Sequence, residues 1–419
     1  MSARPPQVKQ AGAGPSVSIV VVSRGRGESL ATCLCGLTRL LYAPYEIIVV
    51  CDVEGAAAVQ AAGLVGLIKL VRFEEANISK ARNLGIAEAA GEVIAFIDDD
   101  AVAEPTWLRH LVAGFDLPDV SAVGGYVRGR NGISYQWQAR SVDDTGKAHR
   151  LPLQGDHPRM VTAPDGQAVK TEGTNMAFRA DVLKRMGGFD EVFAFFLDET
   201  DLNLRLHQAG HATAIAPMAE VHHAYAPSPR RRQNRAVTDL GDVGASTAVF
   251  LNKHCPEAYR AGAIADLRQE QVRRIWRQRR AGLLRTEEVE DLTRGLEAGL
   301  AAGEARMFGH YARFGPPPAF LPFESRATGA HRVLAGRIWQ KRRLMAEAEA
   351  LVAAGHTVSL YLFSPTLRRH QVRFVAPGIW VQRGGIWGRS VRNRLPFSAV
   401  GFGQRLRQEQ KRVAGRRAL

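Results

Sequence analysis

The stretch Asn77–Asp100, NISKARNLGIAEAAGEVIAFIDDD, runs from a helical pattern into an apolar run that ends in three adjacent carboxylates. Ser79–Ala90 reads as a helix, and Val93–Ile97 is a short apolar run of the kind that forms a buried strand. Asp98, Asp99 and Asp100 then stand together at that strand's carboxyl end, where like charges repel. Two carboxylates at i and i+2 can turn toward one point if the chain curls there. That arrangement suits a hard divalent cation, Mg2+ or Mn2+, with substrate phosphates completing its shell. A polar turn capping the following AVAEPTWLRHL segment is the competing reading.

The flanking pattern places this end in a sheet. VSIVVVS from Val17, EIIVV (Glu46–Val50), LIKLVRF (Leu67–Phe73) and Val93–Ile97 are apolar runs separated by helical stretches such as Glu28–Leu40. Such alternation predicts an α/β fold with a parallel sheet covered on both faces. Ligands of these sheets bind outside the carboxyl ends of the strands. Asp52 follows EIIVV at one such end and could accept hydrogen bonds from a base or ribose. Arg82 and Asn83 lie in the first turns of the helix before the triplet, where a helix N-terminus attracts phosphate. A plain surface cation is the alternative for Arg82.

Further along, LDETDLNLRL carries Asp198, Glu199 and Asp201 at the start of a helix. Acids there can serve as a general base or simply favour the helix terminus. Asp201 and Arg205 are spaced for an i,i+4 ion pair. GTNMAFR contributes Gly173, Thr174 and Asn175, either as a turn or as part of a pocket. His222 and His223 follow a strand, and a neutral imidazole can complete a metal shell.

Taken in order, VSIVVVSRGR, EIIVVCD, the Asn77–Asp100 block, GTNMAFR, GGFDE, DETDLNLRL and HH resemble the family 2 glycosyltransferases over about Val17 to Pro227. The resemblance implies a GT-A fold, with a mixed, mainly parallel sheet flanked by helices. It also implies an inverting, metal-dependent transfer from a nucleotide-diphosphate sugar, UDP being the commoner donor, to a glycan, lipid-linked or other hydroxyl acceptor. By position, Asp52 would contact the nucleobase, while Ser23, Arg24, Asn77 and Arg82 would cradle the nucleotide. Asp98 and Asp100 would form the D-x-D, with Asp100 on the Mn2+ or Mg2+ and Asp98 and Asp99 holding the ribose and supporting the metal. His223 fits the family spacing for a further ligand better than His222. Gly173, Thr174 and Asn175 would line the acceptor side, with Asp201 ordering its loop. The family's Glu-Asp-x-Asp reads Asp198-Glu199-x-Asp201 here, so Glu199 takes the base position and Asp198 is the alternative. A nucleotide-sugar-binding scaffold without turnover is one rival. A nucleotidyltransferase is another, although SRGRGES lacks the lysine such a loop would want.

The chain of 419 residues carries 56 Lys and Arg against 41 Asp and Glu, a net charge of +15. This balance points to anionic partners: nucleotide phosphates, acidic lipid or nucleic acid. QVRRIWRQRR (Gln271–Arg280) and Arg230–Arg232 fit a helix lying on anionic lipid, a nucleic-acid contact or a solvated Arg-rich face, and of these a nucleic-acid partner is not expected. Cys33, Cys35, Cys51 and Cys255 match no zinc spacing and read as reduced. No apolar run approaches the roughly 20 residues of a membrane span. The expected place is the cytoplasm, with peripheral contact at the inner membrane face. The expected organisation is a disordered arm at residues 1–15, a GT-A domain at 16–255, a basic helical segment at 256–312 and a small α/β extension at 313–419. Within it, Arg128–Val169 reads as a long polar excursion, GPPPAFLPF as a linker, and Ile338–Ala354 as a helix.

Overall fold

The apolar run at Val17 becomes strand β1 (Val17–Ser23), followed by α1 (Gly27–Leu37), β2 (Tyr45–Cys51), α2 (Val53–Ala61), β3 (Lys69–Arg72), α3 (Ile78–Glu88) and β4 (Val93–Asp98). The strands run parallel in the order β3-β2-β1-β4. Val17, Ile19 and Val21 enter one hydrophobic cluster and Val20 the other, so the period of two feeds a core on each face. The strand order reverses between β1 and β4, and the ligand crevice of such a sheet lies outside their carboxyl ends. This computed structural model describes residues 14–418 apart from 225, 393, 394 and 396. The expected N-terminal arm therefore lies outside the described residues, except for positions 14 and 15.

Next come β5 (Ala101–Ala103), α4 (Trp107–Val112), β6 (Val120–Arg128), β7 (Tyr135–Trp137), β8 (Arg140–Val142), β9 (Ala148–Arg150), β10 (Arg159–Met160), β11 (Ala168–Lys170), β12 (Met176–Arg179), α5 (Ala180–Arg185), α6 (Asp198–Gln208) and β13 (Ala212–His223). The main sheet continues from β4 through antiparallel β12 to β6, β13 and β10. The mixed sheet and its flanking helices match the α/β, GT-A expectation. The supposed excursion Arg128–Val169 carries short paired strands between its turns. β8, β9 and β11 form their own antiparallel sheet, while β7 and β10 join the main one. Strands of two or three residues are too short to show a period, which is why they escaped the pattern reading.

Helices α7 (Gly241–His254), α8 (Glu257–Arg280) and α9 (Thr286–Glu304) follow; α8 and α9 lie in the stretch read as a basic helical segment, and α7 precedes it. Their shared cluster runs from Ala236 to Leu300, across the expected boundary at 255/256. α7 and α9 cross closely because the contact is glycine: a Cβ on Gly299 would stand 2.1 Å from the Gly241 carbonyl oxygen. The GPPPAFLPF stretch is bound to the domain rather than loose. The Leu321 amide donates to Glu46 (2.9 Å), the Phe323 amide donates to the Tyr45 carbonyl (2.8 Å), and Phe323 joins the main core.

The last segment holds β14 (Arg332–Arg337), α10 (Lys341–Ala353), β15 (Val358–Ser364), β16 (Gln371–Val375), β17 (Ile379–Gly385) and α11 (Phe402–Arg417). Its sheet has the order β14-β15-β17-β16, parallel except for β16. The last turn of α11 fastens this unit to the first domain. Arg417 donates twice to Glu104, at 2.8 Å each, and lies over Trp380. Glu104 also binds His222 at 2.8 Å. Arg416 reaches Glu220 (2.6 Å), which Arg128 also holds. Burial would raise the Glu104 pKa, but Arg417 and His222 outweigh it and hold the carboxyl well below the usual range.

Arg417→Met leaves Glu104 buried beside a single imidazole. Losing one partner of a buried pair costs about 3–5 kcal/mol. Urea unfolding of R417M should show a loss of that size. A loss below about 1 kcal/mol, the range of an exposed pair, would overturn the fastening role of this ion pair.

Candidate active site

Register brings the acidic triplet to its partners. β5 leaves the triplet antiparallel to the end of β13, with Ala101 opposite His223. Asp100 is thereby set beside His223, whose Nε2 lies 3.1 Å from Asp100 Oδ1. Asp98, Asp100 and His223 each present a ligand atom, all within 4.8 Å of one another. His223 Nδ1 is 3.1 Å from Gln136 Oε1, a contact that orients the ring. His222, the alternative ligand, points to the opposite side of β13 by strand alternation. It binds Glu104 and packs on Trp380, with ring centroids 4.6 Å apart. The expectation of His222 as a ligand is thus corrected.

The repulsion in the triplet is answered by a cation that the sequence reading passed over. Arg26, in the β1–α1 turn, lies 2.6 Å from Asp99 and 3.5 Å from Asp100. Asp99 is completely buried, and burial, opposed by Arg26, pushes its pKa up to about 7. Asp100 goes the other way. Burial would raise it, but His223, Arg26 and the Ala226 amide hold it at about 2.

Asp52 caps α2 through the Gly55 amide (2.9 Å) and ties down the β1–α1 turn through the Gly25 amide (2.7 Å). Gly25 has φ +64, a conformation glycine adopts without strain. Ser23 is buried at the end of β1, and Arg24 donates to the Glu74 carbonyl (3.1 Å). Asn77 serves the fold instead of a nucleotide: it accepts from the Lys80 amide (3.0 Å) as the cap of α3 and donates to the Glu191 carbonyl (2.8 Å).

Arg82 is no surface cation. It is 3% exposed, stacks over Phe189 at 5.2 Å, and binds Asp198. Its Nη2 also lies 3.5 Å from Asp98 and 3.2 Å from the Gly173 carbonyl. One guanidinium thus joins the triplet to the acids of α6. Those acids follow two non-glycine residues in left-handed conformation, Phe196 (φ 73) and Leu197 (φ 65). Such backbone costs of order 1–3 kcal/mol per residue and clusters at functional sites. Burial pushes Asp198 up to about 6 against the pull of Arg82. Glu199 is bound by Lys170 at 2.6 Å, and that cation, against burial, holds it at about 2. Lys170 was not singled out in the sequence.

Two acceptor-side expectations are corrected. Asn175 is fully buried; it bonds to the Tyr126 carbonyl (2.9 Å), the Ala219 carbonyl (2.8 Å) and the Trp107 indole (2.8 Å), bracing β6 against β13. Asp201 is equally buried; it makes the expected i,i+4 pair with Arg205 (2.8 Å) within α6 and pins that helix to α7 through Lys253 (2.6 Å) and His254 (2.8 Å). Gly173 stays beside Arg82, where a Cβ would stand 2.7 Å from Nη2. Thr174 is buried next to it.

Arg82→Met leaves Asp98 and Asp198 without their shared cation and should cost about 3–5 kcal/mol at pH 8. A carboxyl raised in the fold binds its proton more tightly there than in the unfolded chain, so that part of the stability is present at low pH and lost as pH rises through about 6. The R82M penalty in urea unfolding should therefore be smaller at pH 5 than at pH 8. Equal penalties would count against the Arg82–Asp198 pairing.

The family described as "Glycosyltransferase like family 2" matches residues 15–238. The chain is 31% identical to the glucosyl-dolichyl phosphate glucuronosyltransferase of Haloferax volcanii over 180 residues, which covers 42% of this chain and 55% of that one. It is 26% identical to the pre-mycofactocin glycosyltransferase of Mycobacterium tuberculosis, covering 50% and 43%. The chain thus spans about half the length of these relatives. Among solved structures, GalNAc-T7 with UDP, GalNAc and Mn2+ aligns with a TM-score of 0.46 at 17% identity, over 57% of this chain and 48% of that one. With its family pattern matched across more than half its length, the chain belongs to the glycosyltransferase-like family 2.

Proposed function

We propose that the chain catalyses an inverting, cation-dependent transfer of a sugar from a nucleotide-diphosphate donor, a UDP-sugar first, to a hydroxyl on a glycan or lipid-linked acceptor. The observation that carries this reading is the convergence of Asp98, Asp100 and His223 beside the Arg82–Asp198 pair. Two carboxylates and an imidazole suit Mn2+ or Mg2+. If Nδ1 donates to Gln136, the Nε2 lone pair is left for the ion. A cation bound there would offset the charge that builds on the departing diphosphate.

The protein's own groups supply the rest. Arg26 and Arg82 bring guanidinium charge to both sides of the triplet, suited to phosphate oxygens. Asp52 holds the β1–α1 turn whose backbone at Ser23 and Arg24 would face the nucleotide. Glu199, whose side chain is more exposed than that of Asp198 (17% against 4%), is the proposed base for the acceptor hydroxyl. The acceptor class draws support from the H. volcanii relative, whose name includes glucosyl-dolichyl phosphate. Among the described residues, no helix is long and apolar enough to cross a membrane. The proposed working place is the cytoplasm, at the inner membrane face where a lipid-linked acceptor would be met.

A thermal-shift screen of UDP-, GDP- and dTDP-sugars with and without Mn2+ tests the donor reading. The right donor should stabilise the fold by about 2.7 kcal/mol at a hundred times its Kd, and only with the cation. Asp100→Ala should abolish both that shift and Mn2+-dependent donor hydrolysis; unchanged hydrolysis would defeat the cation assignment. Glu199→Gln should slow transfer about 10²–10⁴-fold while keeping the donor-induced shift. A larger loss in Asp198→Asn would move the base to Asp198. Donor binding without turnover by the unaltered chain would favour the scaffold reading.

A further inference from the structure

The C-terminal unit carries a second concave site that the transfer reading does not use. A groove of about 900 Å³ lies between α11 and the segment after β17, within the size range of small-molecule sites. Val391, Leu395 and Phe397 form its apolar lining, and Leu395 and Phe397 remain 78% and 61% exposed. Leu367 and Trp387 are also exposed, in the loops after β15 and β17, which are stitched together. The Gly385 amide donates to the Arg368 carbonyl (2.8 Å), the Trp387 amide to Thr366 (3.3 Å), and the Ser398 amide to Trp387 (3.0 Å). Apolar side chains clustered at a surface mark a binding face.

The groove is also lined by cations from both elements. Arg389, Arg405, Lys411 and Arg412 line the groove, with Glu409 as the carboxylate among its lining residues. Glu409 is already shared by Gln382 (2.8 Å), Arg412 (3.2 Å) and Arg405 (3.4 Å). The buried Nη2 of Arg405 has no hydrogen-bond partner among the described residues. Next to the groove, Arg392 donates to the carbonyls of His370, Arg389 and Ser390. Burial, together with the charges of Arg369 and Arg389, lowers its pKa, a sign of crowded positive charge.

We propose that this groove binds a phosphate-headed amphiphile, with the phosphate at Arg389 and Lys411 and the hydrocarbon along Val391, Leu395 and Phe397. Guanidinium groups match phosphate oxygens in pairs, and the apolar side shields a chain from water. The helix α8 also exposes Trp276 among arginines and serves as the comparison surface. The proposal stands apart from the transfer reading, and either can fail alone.

The test uses the full chain without sugar donor. Titration with farnesyl phosphate, farnesol and inorganic phosphate, read by tryptophan fluorescence, should show saturable binding of farnesyl phosphate. The two half-ligands should bind at least about tenfold more weakly, since each lacks one half of the contacts. Flotation with phosphatidylglycerol-containing vesicles, against phosphatidylcholine alone, tells a bilayer lipid from a free lipid phosphate as the source. Arg389→Gln with Lys411→Gln, and separately Leu395→Ser with Phe397→Ser, should each weaken binding at least about tenfold. Both variants should keep the melting temperature and the donor-induced shift of the unaltered chain. Absence of saturable binding to both the vesicles and farnesyl phosphate would overturn the proposal. So would binding that survives both groove variants but is lost in Arg273→Gln with Arg277→Gln on α8.

Discussion

A single buried guanidinium holds the two halves of the candidate site together. Arg82 sits between Asp98, at the end of β4, and Asp198, at the start of α6, with its face on Phe189. A buried charge of this kind is tolerable only when its hydrogen bonds are made, and here two carboxylates and the Gly173 carbonyl make them. The consequence is geometric. The acid triplet that would meet the leaving group and the acids that would meet the acceptor cannot shift independently.

The same economy of charge explains how three adjacent aspartates coexist. They are not equivalent: Asp99 is buried against Arg26, Asp100 is held ionised by His223 and a backbone amide, and Asp98 remains partly exposed toward Arg82. Each has its own counter-group from a different element. The pairing register of β5 against β13 sets the most consequential of these, since a one-residue slip would replace His223 with His222.

That register is in turn gripped from outside the first domain. Glu104 lies just beyond β5 and takes Arg417 from the last turn of α11 together with His222. The residue next to His222 is the candidate ligand His223. The C-terminal unit therefore braces the strand that carries one of three candidate ligands, a physical reason for its docking that does not require any activity of its own.

The family resemblance singled out His223, and local pattern determined the alternation of strands and helices, the sheet ends that would hold ligand, and the acidic triplet. These follow from apolar periodicity and from the rule that parallel sheets offer their carboxyl ends. Tertiary structure decided which polar side chains face the cleft. Asn77, Asn175 and Asp201 looked like site residues and are spent on caps and braces, whereas Arg26, Gln136 and Lys170 looked ordinary and hold the acids or their histidine. The reason is that a polar side chain's role depends on which distant backbone or charge it meets. Lys170 and Glu199 are separated by 29 positions in the chain, and Arg82 and Asp198 by 116. Spacing along a strand or helix reports the face a residue occupies, and only the folded chain reports what stands opposite.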